Sequence, residues 1–548
     1  MRVTWVQPED LLGHELRQAE QEGRDASAVR ARWLAAGGHE APPRAGASPV
    51  PAPAHLRALA ERLLDELAAL PSPLAPYEPT EFASIRAACP TWPAQGSSPA
   101  PPLPEPGEEA PGPPWPGRLP GSASPRGEAR AEGTPGARPR LREGAGPGNS
   151  SVARTPTAEP PSGTDPSARP VPGRAGNDEP GPGGSLGPGR GGAETDDALL
   201  TRLHAAWLGR AAGCLLGKPV EKLPLHAIRT LARAAGNWPL VTWFTARGVP
   251  EDLLAAHPWN RRSATTSLAE NIDGMPEDDD LNYPLLDLLL LRRYGTAFRT
   301  CDVARLWLDE LPAGRTFTAE RVAYRNLLQG IEPPATAVHR NPFREWIGAQ
   351  IRADVHGWTN PGDPAAAAEQ AHRDATLTHT ANGVYGAMFA AATIAEAAGG
   401  SADVHGCVEA GLGVVPPHSR LARAVRAAVT AARRTADFDD VVDHLHARHA
   451  AYHWVHAVPN AALLAAALTH AEGDFTGSIC RAVSGGWDTD SNGATAGCVA
   501  GLLAGHPDAI PAHWTAPLKN RLATTVAGFD GVGFDTLAEL TYREVRRK

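Results

Sequence analysis

Ser484-Gly-Gly-Trp-Asp-Thr-Asp-Ser-Asn-Gly-Ala-Thr-Ala-Gly497 is the most informative stretch of the chain. Two glycines make a flexible approach, aspartates alternate with hydroxyls, and an almost uncharged run with glycine at every fourth position comes next. Asp, Thr, Ser and Asn are all favoured helix caps, but one helix start needs only one of them. The surplus of oxygen donors suits a hard cation such as Mg²⁺, Mn²⁺ or Ca²⁺; zinc would call for His or Cys. The glycines Gly493, Gly497, Gly501 and Gly505 fall along one helix ridge. A second row, Gly209, Gly213 and Gly217, has the same spacing. Each glycine costs a helix about 1 kcal/mol, so two such rows predict two helices whose backbones pack unusually closely.

On a wider scale, residues 196–548 read as one all-α domain. Ala/Leu-rich helical patterns recur at 201–216, 284–294, 319–328, 364–375, 383–398, 419–434, 438–447, 461–471 and 494–504, without clear period-two strands. Residues 93–195 are dominated by Pro and Gly and read as a disordered linker, too poor in apolar residues to offset chain entropy. Residues 1–92 form a small helical segment. Leu56, Leu59, Leu63, Leu64, Leu67 and Leu70 predict one amphipathic helix, and the stretch from Pro8 to Gly23 another. This segment carries no catalytic constellation, and docking of an unknown partner is its expected role.

Composition narrows the function. The 548 residues carry a net charge of −9, which gives no basic surplus for nucleic acid. No apolar stretch approaches the ~20 residues that span a bilayer, and the N-terminus lacks a signal-like core, so a cytoplasmic, membrane-free protein is expected. The six cysteines are scattered without a C-x-x-C pair, as buried thiols would be. His449, His453 and His456 have helix-face spacing, but Ala450 stands where a zinc protease has Glu, which favours ordinary packing.

A second acidic cluster, Glu277-Asp-Asp-Asp280, comes after the Gly274-Met-Pro276 turn. Neighbouring residues on a regular helix point ~100° apart, so Asp278 and Asp279 converge on one centre only from a loop or a first turn. If both clusters meet, four or five carboxylates share a small volume. They then repel or hold protons unless cations neutralise them.

Residues 196–548 resemble the ADP-ribosylglycohydrolase family, the group that includes the dinitrogenase reductase-activating glycohydrolase. The resemblance lies in Trp207-Leu-Gly-Arg-Ala-Ala-Gly-Cys-Leu-Leu-Gly-Lys-Pro-Val-Glu221, in Glu277–Asp280, in Asp374-Ala-Thr-Leu-Thr-His379 and in Gly485-Gly-Trp-Asp-Thr-Asp-Ser-Asn-Gly-Ala-Thr495. It implies a compact multi-helix fold with two Mg²⁺ ions, or Mn²⁺, at its centre. It also implies hydrolysis of the glycosidic bond between ADP-ribose and a protein side chain or small acceptor. By motif, Glu277, Asp278, Asp279, Asp488, Asp490 and Ser491 would bind metal. Asp278, Asp279 and Glu221 would carry catalysis, and His379, Asn382 and Gly486 would contact substrate. The chain departs from the family pattern in three ways. Glu277 and Asp280 replace threonines, Trp487 is inserted, and Asn341–Arg352 stands where a Gly-Asn-Gly phosphate loop is usual. A catalytically silent ADP-ribose binder and a binuclear hydrolase of another phosphate ester are the competing readings.

Overall fold

The glycine rows pack against each other as their spacing requires. In the computed structural model, which describes residues 7–42, 45–46, 48, 50–93 and 191–547, the first row ends the helix Gly191–Gly217 and the second lies in Thr489–Ala504. A Cβ on Gly209 would fall on the carbonyl oxygen of Gly497. One on Gly213 would fall on that of Gly493, and one on Gly217 on the backbone of Thr489. The two helices are therefore antiparallel and in backbone contact. Gly505 has no such neighbour; it ends its helix with φ 79°, a conformation glycine adopts without strain. Gly213→Ala should destabilise the protein by about 3 kcal/mol or more, since neither backbone can yield; urea unfolding measures it.

Helices wrap this pair, and no strand occurs among the described residues, which carry only isolated bridges such as Met275 to Leu522. The core runs through Trp207, Leu215, Leu285, Trp358, Met388 and Val499. No helix among the described residues is long and apolar enough to cross a membrane. The expected disordered linker falls almost wholly outside the described residues.

Two helices begin earlier than their apolar runs suggest. Asp279–Tyr294 contains Pro284 in its interior, and Thr489–Ala504 starts five residues before the apolar stretch. Proline has no N–H, so the carbonyl of Asp280 loses its helical partner. The guanidinium of Arg210 replaces it, Nε donating to that oxygen at 2.8 Å. Both acidic clusters thus occupy helix caps and first turns.

Among the described residues up to 93 there are four helices, Pro8–Gln21, Ser27–Ala35, Ala54–Ala69 and Phe82–Ala88. Their apolar stripe is used inside this chain: Leu12, Leu16, Trp33, Leu63 and Leu67 form one cluster with Ala319, Val322, Phe343 and Trp346. Around it lies a buried ion network. Arg344 pairs with Glu15 and Glu22, each at 2.7 Å. Arg420 reaches Glu78 at 2.6 Å and Glu345 at 2.7 Å. Thr80 Oγ1 accepts from the N–H of Ala381, at the start of the Ala381–Gly399 helix.

His14 sits in the same interface, its ring against Phe343 and Trp346 and both nitrogens without a hydrogen-bond partner. Burial, then Arg17 and His39, lowers its pKa to about 3. Below pH ~6.5 the unfolded chain binds a proton that the folded chain refuses, so stability falls as pH drops through that window. In His14→Gln the slope of stability against pH between about 4 and 6 should lessen by about 1.4 kcal/mol per unit. Chemical denaturation at several pH values reads it.

Candidate active site

The antiparallel glycine pair sets the floor of the site. Where the first helix ends, the turn Lys218–Lys222 arrives beside the start of the second, with Thr489 Oγ1 donating to the carbonyl of Gly217 at 2.8 Å. The second acidic cluster is delivered by a sharp reversal after the helix Phe475–Ser484. Gly486 and Trp487 both have positive φ, 78° and 57°. For Trp487 this is a strained conformation that its surroundings must hold. Its ring stacks on His446 with centroids 4.1 Å apart and planes 9° from parallel. Asn460 fixes the start of the second glycine helix: its Oδ1 accepts from the N–H of Asp488 at 3.1 Å and from Asn492 Nδ2 at 2.7 Å.

The first cluster is pinned from the other side. Met275 donates its N–H to Arg521 and accepts from Ala523, both at 2.9 Å. Asp278 then caps the helix Asp279–Tyr294, its Oδ1 accepting from the N–H of Asp280 at 2.9 Å. Asp280 reaches across to the second helix, its Oδ2 3.4 Å from Ser491 Oγ and 3.8 Å from Cys214 Sγ. Its Oδ1 lies 3.7 Å from Arg210. Lys218 pairs with Asp278. Glu221 accepts from Asn260 at 2.7 Å and pairs with Lys222.

Electrostatics tie the three segments together. Burial first, and then Asp278, Asp490 and Glu221, push Asp279 far above the usual carboxylate range. Asp280 is raised by burial, Asp278 and Asp490, against the pull of Arg210. Asp488 is raised by burial, Asp490 and Glu221. Asp490 is pushed to about 7 by burial, Glu221 and Asp278. Burial works against the Lys218 ammonium, but Asp278 outweighs it and holds the pKa above its usual value. Buried like charges of this kind stay protonated until a cation neutralises them.

The donor set fits a hard cation. Ligand atoms of Cys214, Asp278 and Asp280 lie within 4.8 Å of one another, with Asp279, Asp488, Asp490 and Ser491 beside them on the same two first turns. The Cys214 thiol is held well above its usual pKa by burial and then by Asp278, which leaves the carboxylates as the ionic donors.

Not every expected residue joins this group. Glu277 turns its oxygens to Asn282 (2.8 Å) and Arg315 (3.0 Å). Asp280, rather than Glu277, is the added acid that enters the cluster. His379 and Asn382, expected to contact substrate, are wholly enclosed. Thr378 Oγ1 lies 2.6 Å from His379 Nδ1, and burial keeps that imidazole neutral, far below its usual pKa. Asn382 donates to Glu345 at 3.0 Å and accepts from the N–H of Leu421 at 2.9 Å. The physical reason is that Thr378 and Glu320 surround the imidazole while Glu345 and Leu421 take up the amide; Thr80 covers only the adjacent backbone, at the N–H of Ala381. The histidine series behaves as packing: His453 stacks on Trp346 at 4.2 Å, and His456 caps the helix Ala457–His470.

Sequence reasoning missed Arg210, Lys218, Asn460 and Lys222. Arg210 and Lys218 each had a visible signal, a lone cation in the apolar glycine-row segment. Asn460 had none, because it lies 28 positions from the backbone it orients.

No curated protein matches this chain. A solved structure described as an "ADP-ribosylglycohydrolase-related protein complex" is similar, with 20% identity and a TM-score of 0.41, covering 64% of this chain and 99% of that one. The family model for ADP-ribosylglycohydrolase matches residues 195–546. With that match over most of its length, and its acidic first turns brought face to face, the chain belongs to the ADP-ribosylglycohydrolase family.

Proposed function

We propose that the protein is a metal-dependent hydrolase that cleaves the glycosidic bond between ADP-ribose and a protein side chain or small acceptor. The observation that carries this reading is the meeting of the two acidic first turns. Asp280 Oδ2 lies 3.4 Å from Ser491 Oγ, a ligand atom of Asp280 lies within 4.8 Å of one of Asp278, and Asp279, Asp280, Asp488 and Asp490 are raised in pKa by burial and by neighbouring carboxylates. Asp278, Asp279, Asp280, Asp488, Asp490 and Ser491 would hold two divalent ions, Mg²⁺ or Mn²⁺. Bound there, the ions supply the positive charge that ionises these carboxylates and acidifies water at neutral pH.

The chain's own groups do the rest. Asp279, once ionised, accepts a proton from the attacking water on a carboxylate oxygen. Glu221, held by Asn260 on the turn after the first glycine helix, flanks the reacting centre. Lys218 offsets the charge of Asp278 and keeps it oriented. The Gly486-Trp487 reversal, braced by the stacking of Trp487 on His446, aims the Asp488 backbone. Cleavage through an oxocarbenium-like transition state needs such negative charge close to the anomeric carbon.

The test uses the full-length chain stripped with EDTA. Free ADP-ribose is measured from arginine-linked and serine-linked ADP-ribosyl peptides, with and without Mg²⁺ or Mn²⁺. Release that depends on the added cation is expected. No release with either cation on either linkage would overturn the proposal in favour of a silent binder.

A further inference from the structure

Two turns along the helix that opens with Asp279, a second group of metal-ligating side chains is sealed inside the core. Asp287 comes from the Asp279–Tyr294 helix, His356 from Asp354–Trp358 and Asp374 from Pro364–Ala375. All three are at most 1% exposed. His356 Nε2 lies 3.6 Å from Asp374 Oδ2 and 3.9 Å from Asp287 Oδ2. Both separations are too long for hydrogen bonds. They are near the ~3.4 Å edge of a tetrahedron with metal–ligand bonds of about 2.1 Å. One ligand atom from each residue falls within 4.8 Å of the others.

The polar atoms there lack partners. Both oxygens of Asp287, both ring nitrogens of His356 and Oδ1 of Asp374 make no hydrogen bond. Asp374 Oδ2 accepts from Arg352 Nε at 2.7 Å, and the same guanidinium serves Glu320 at 3.3 Å, so one cation is shared among the buried carboxylates here. Asp287 has no hydrogen-bonded cation of its own and feels Arg352 only from farther off, so its ionised form in this buried setting is unfavourable unless a further cation enters. Phe298 stacks on the His356 ring at 5.6 Å and 25°, which fixes the imidazole plane.

We propose that Asp287, His356 and Asp374 hold a divalent cation of the zinc type, enclosed during folding and distinct from the carboxylate cluster at the helix start. Imidazole with two carboxylates suits Zn²⁺ better than Mg²⁺. The ion joins three helices, and it lies about 12 Å along the helix axis from Asp279. Its role is to fix the helix that carries the first acidic cluster, so it is structural and exchanges only on unfolding.

The experiment is metal analysis by mass spectrometry on folded full-length protein after exhaustive EDTA treatment. Wild type and Asp490→Asn should each retain about one equivalent of zinc, and Asp287→Asn and His356→Gln should lose it. Because these variants can fail to fold, wild type is also unfolded in guanidinium with EDTA and refolded with or without Zn²⁺. The zinc-refolded protein should recover the EDTA-resistant equivalent and a higher melting temperature. Less than about a tenth of an equivalent in zinc-refolded wild type, or a full equivalent in Asp287→Asn, overturns the proposal.

Discussion

Asp490→Ala should slow ADP-ribose release by about a thousandfold or more, equivalent to about 4 kcal/mol of transition-state stabilisation. Asp490 sits in the first turn of the second glycine helix, where Glu221 and Asp278 both act on it. Removing it deletes a donor at the point where the two acidic first turns meet. The same change should leave the cation-free protein at least as stable as wild type, because it removes one of several buried carboxylates that repel one another. Wild type should gain about 2.7 kcal/mol from Mg²⁺ at a hundred times its dissociation constant, and the variant much less. Steady-state kinetics and melting curves with and without Mg²⁺ give both numbers. Undiminished turnover in Asp490→Ala and Asp278→Ala would refute the assigned roles.

Arg344→Ala should destabilise the full-length protein by about 3–5 kcal/mol. Its guanidinium pairs with both Glu15 and Glu22 at a buried interface, where Arg24 is their other cation. Truncation leaves Glu15 and Glu22 to share Arg24 alone, in a low-dielectric setting beside Glu345, and Phe343 and Trp346 lose packing. Arg340 makes a control, since its 2.8 Å pair with Asp65 lies at the surface. Arg340→Ala should cost less than about 1 kcal/mol. For the same reason, a fragment beginning at residue 196 exposes the Phe343–Trp346 surface and should aggregate, so the proposed activity is to be assayed on the full chain. Urea midpoints that coincide for wild type and Arg344→Ala would show that the network contributes nothing to stability.

Much of the fold was legible because its signals are local. Glycine at every fourth position states that a backbone must come close, and Asp488 and Asp490 after two glycines state that oxygen donors are gathered at a turn. The partner of each row also showed, since the two rows match in spacing. Side-chain direction and distant pairs stayed hidden. Glu277 and Asp280 are equivalent as letters, yet the helix begins between them, so one faces Arg315 and the other faces Ser491. His379 and Asn382 looked available because nothing in their neighbourhood reveals that Glu320, Glu345 and Leu421 will close around them. The first helices displayed an apolar stripe, but a stripe does not say whether its cover belongs to another molecule or to the same chain.

That cover also orders events during synthesis. Glu15 has Arg24 nearby but waits for its second cation, 329 positions later, and Glu78 waits for a partner 342 positions later. At about 10 residues per second, roughly half a minute separates the emergence of Trp33 and Leu63 from that of Phe343 and Trp346. Throughout that interval the amphipathic helices of the first 93 residues lack the surface that buries them. Ribosome-bound chains arrested before residue 340 should therefore bind chaperones through this segment, and chains arrested well beyond residue 420 should not.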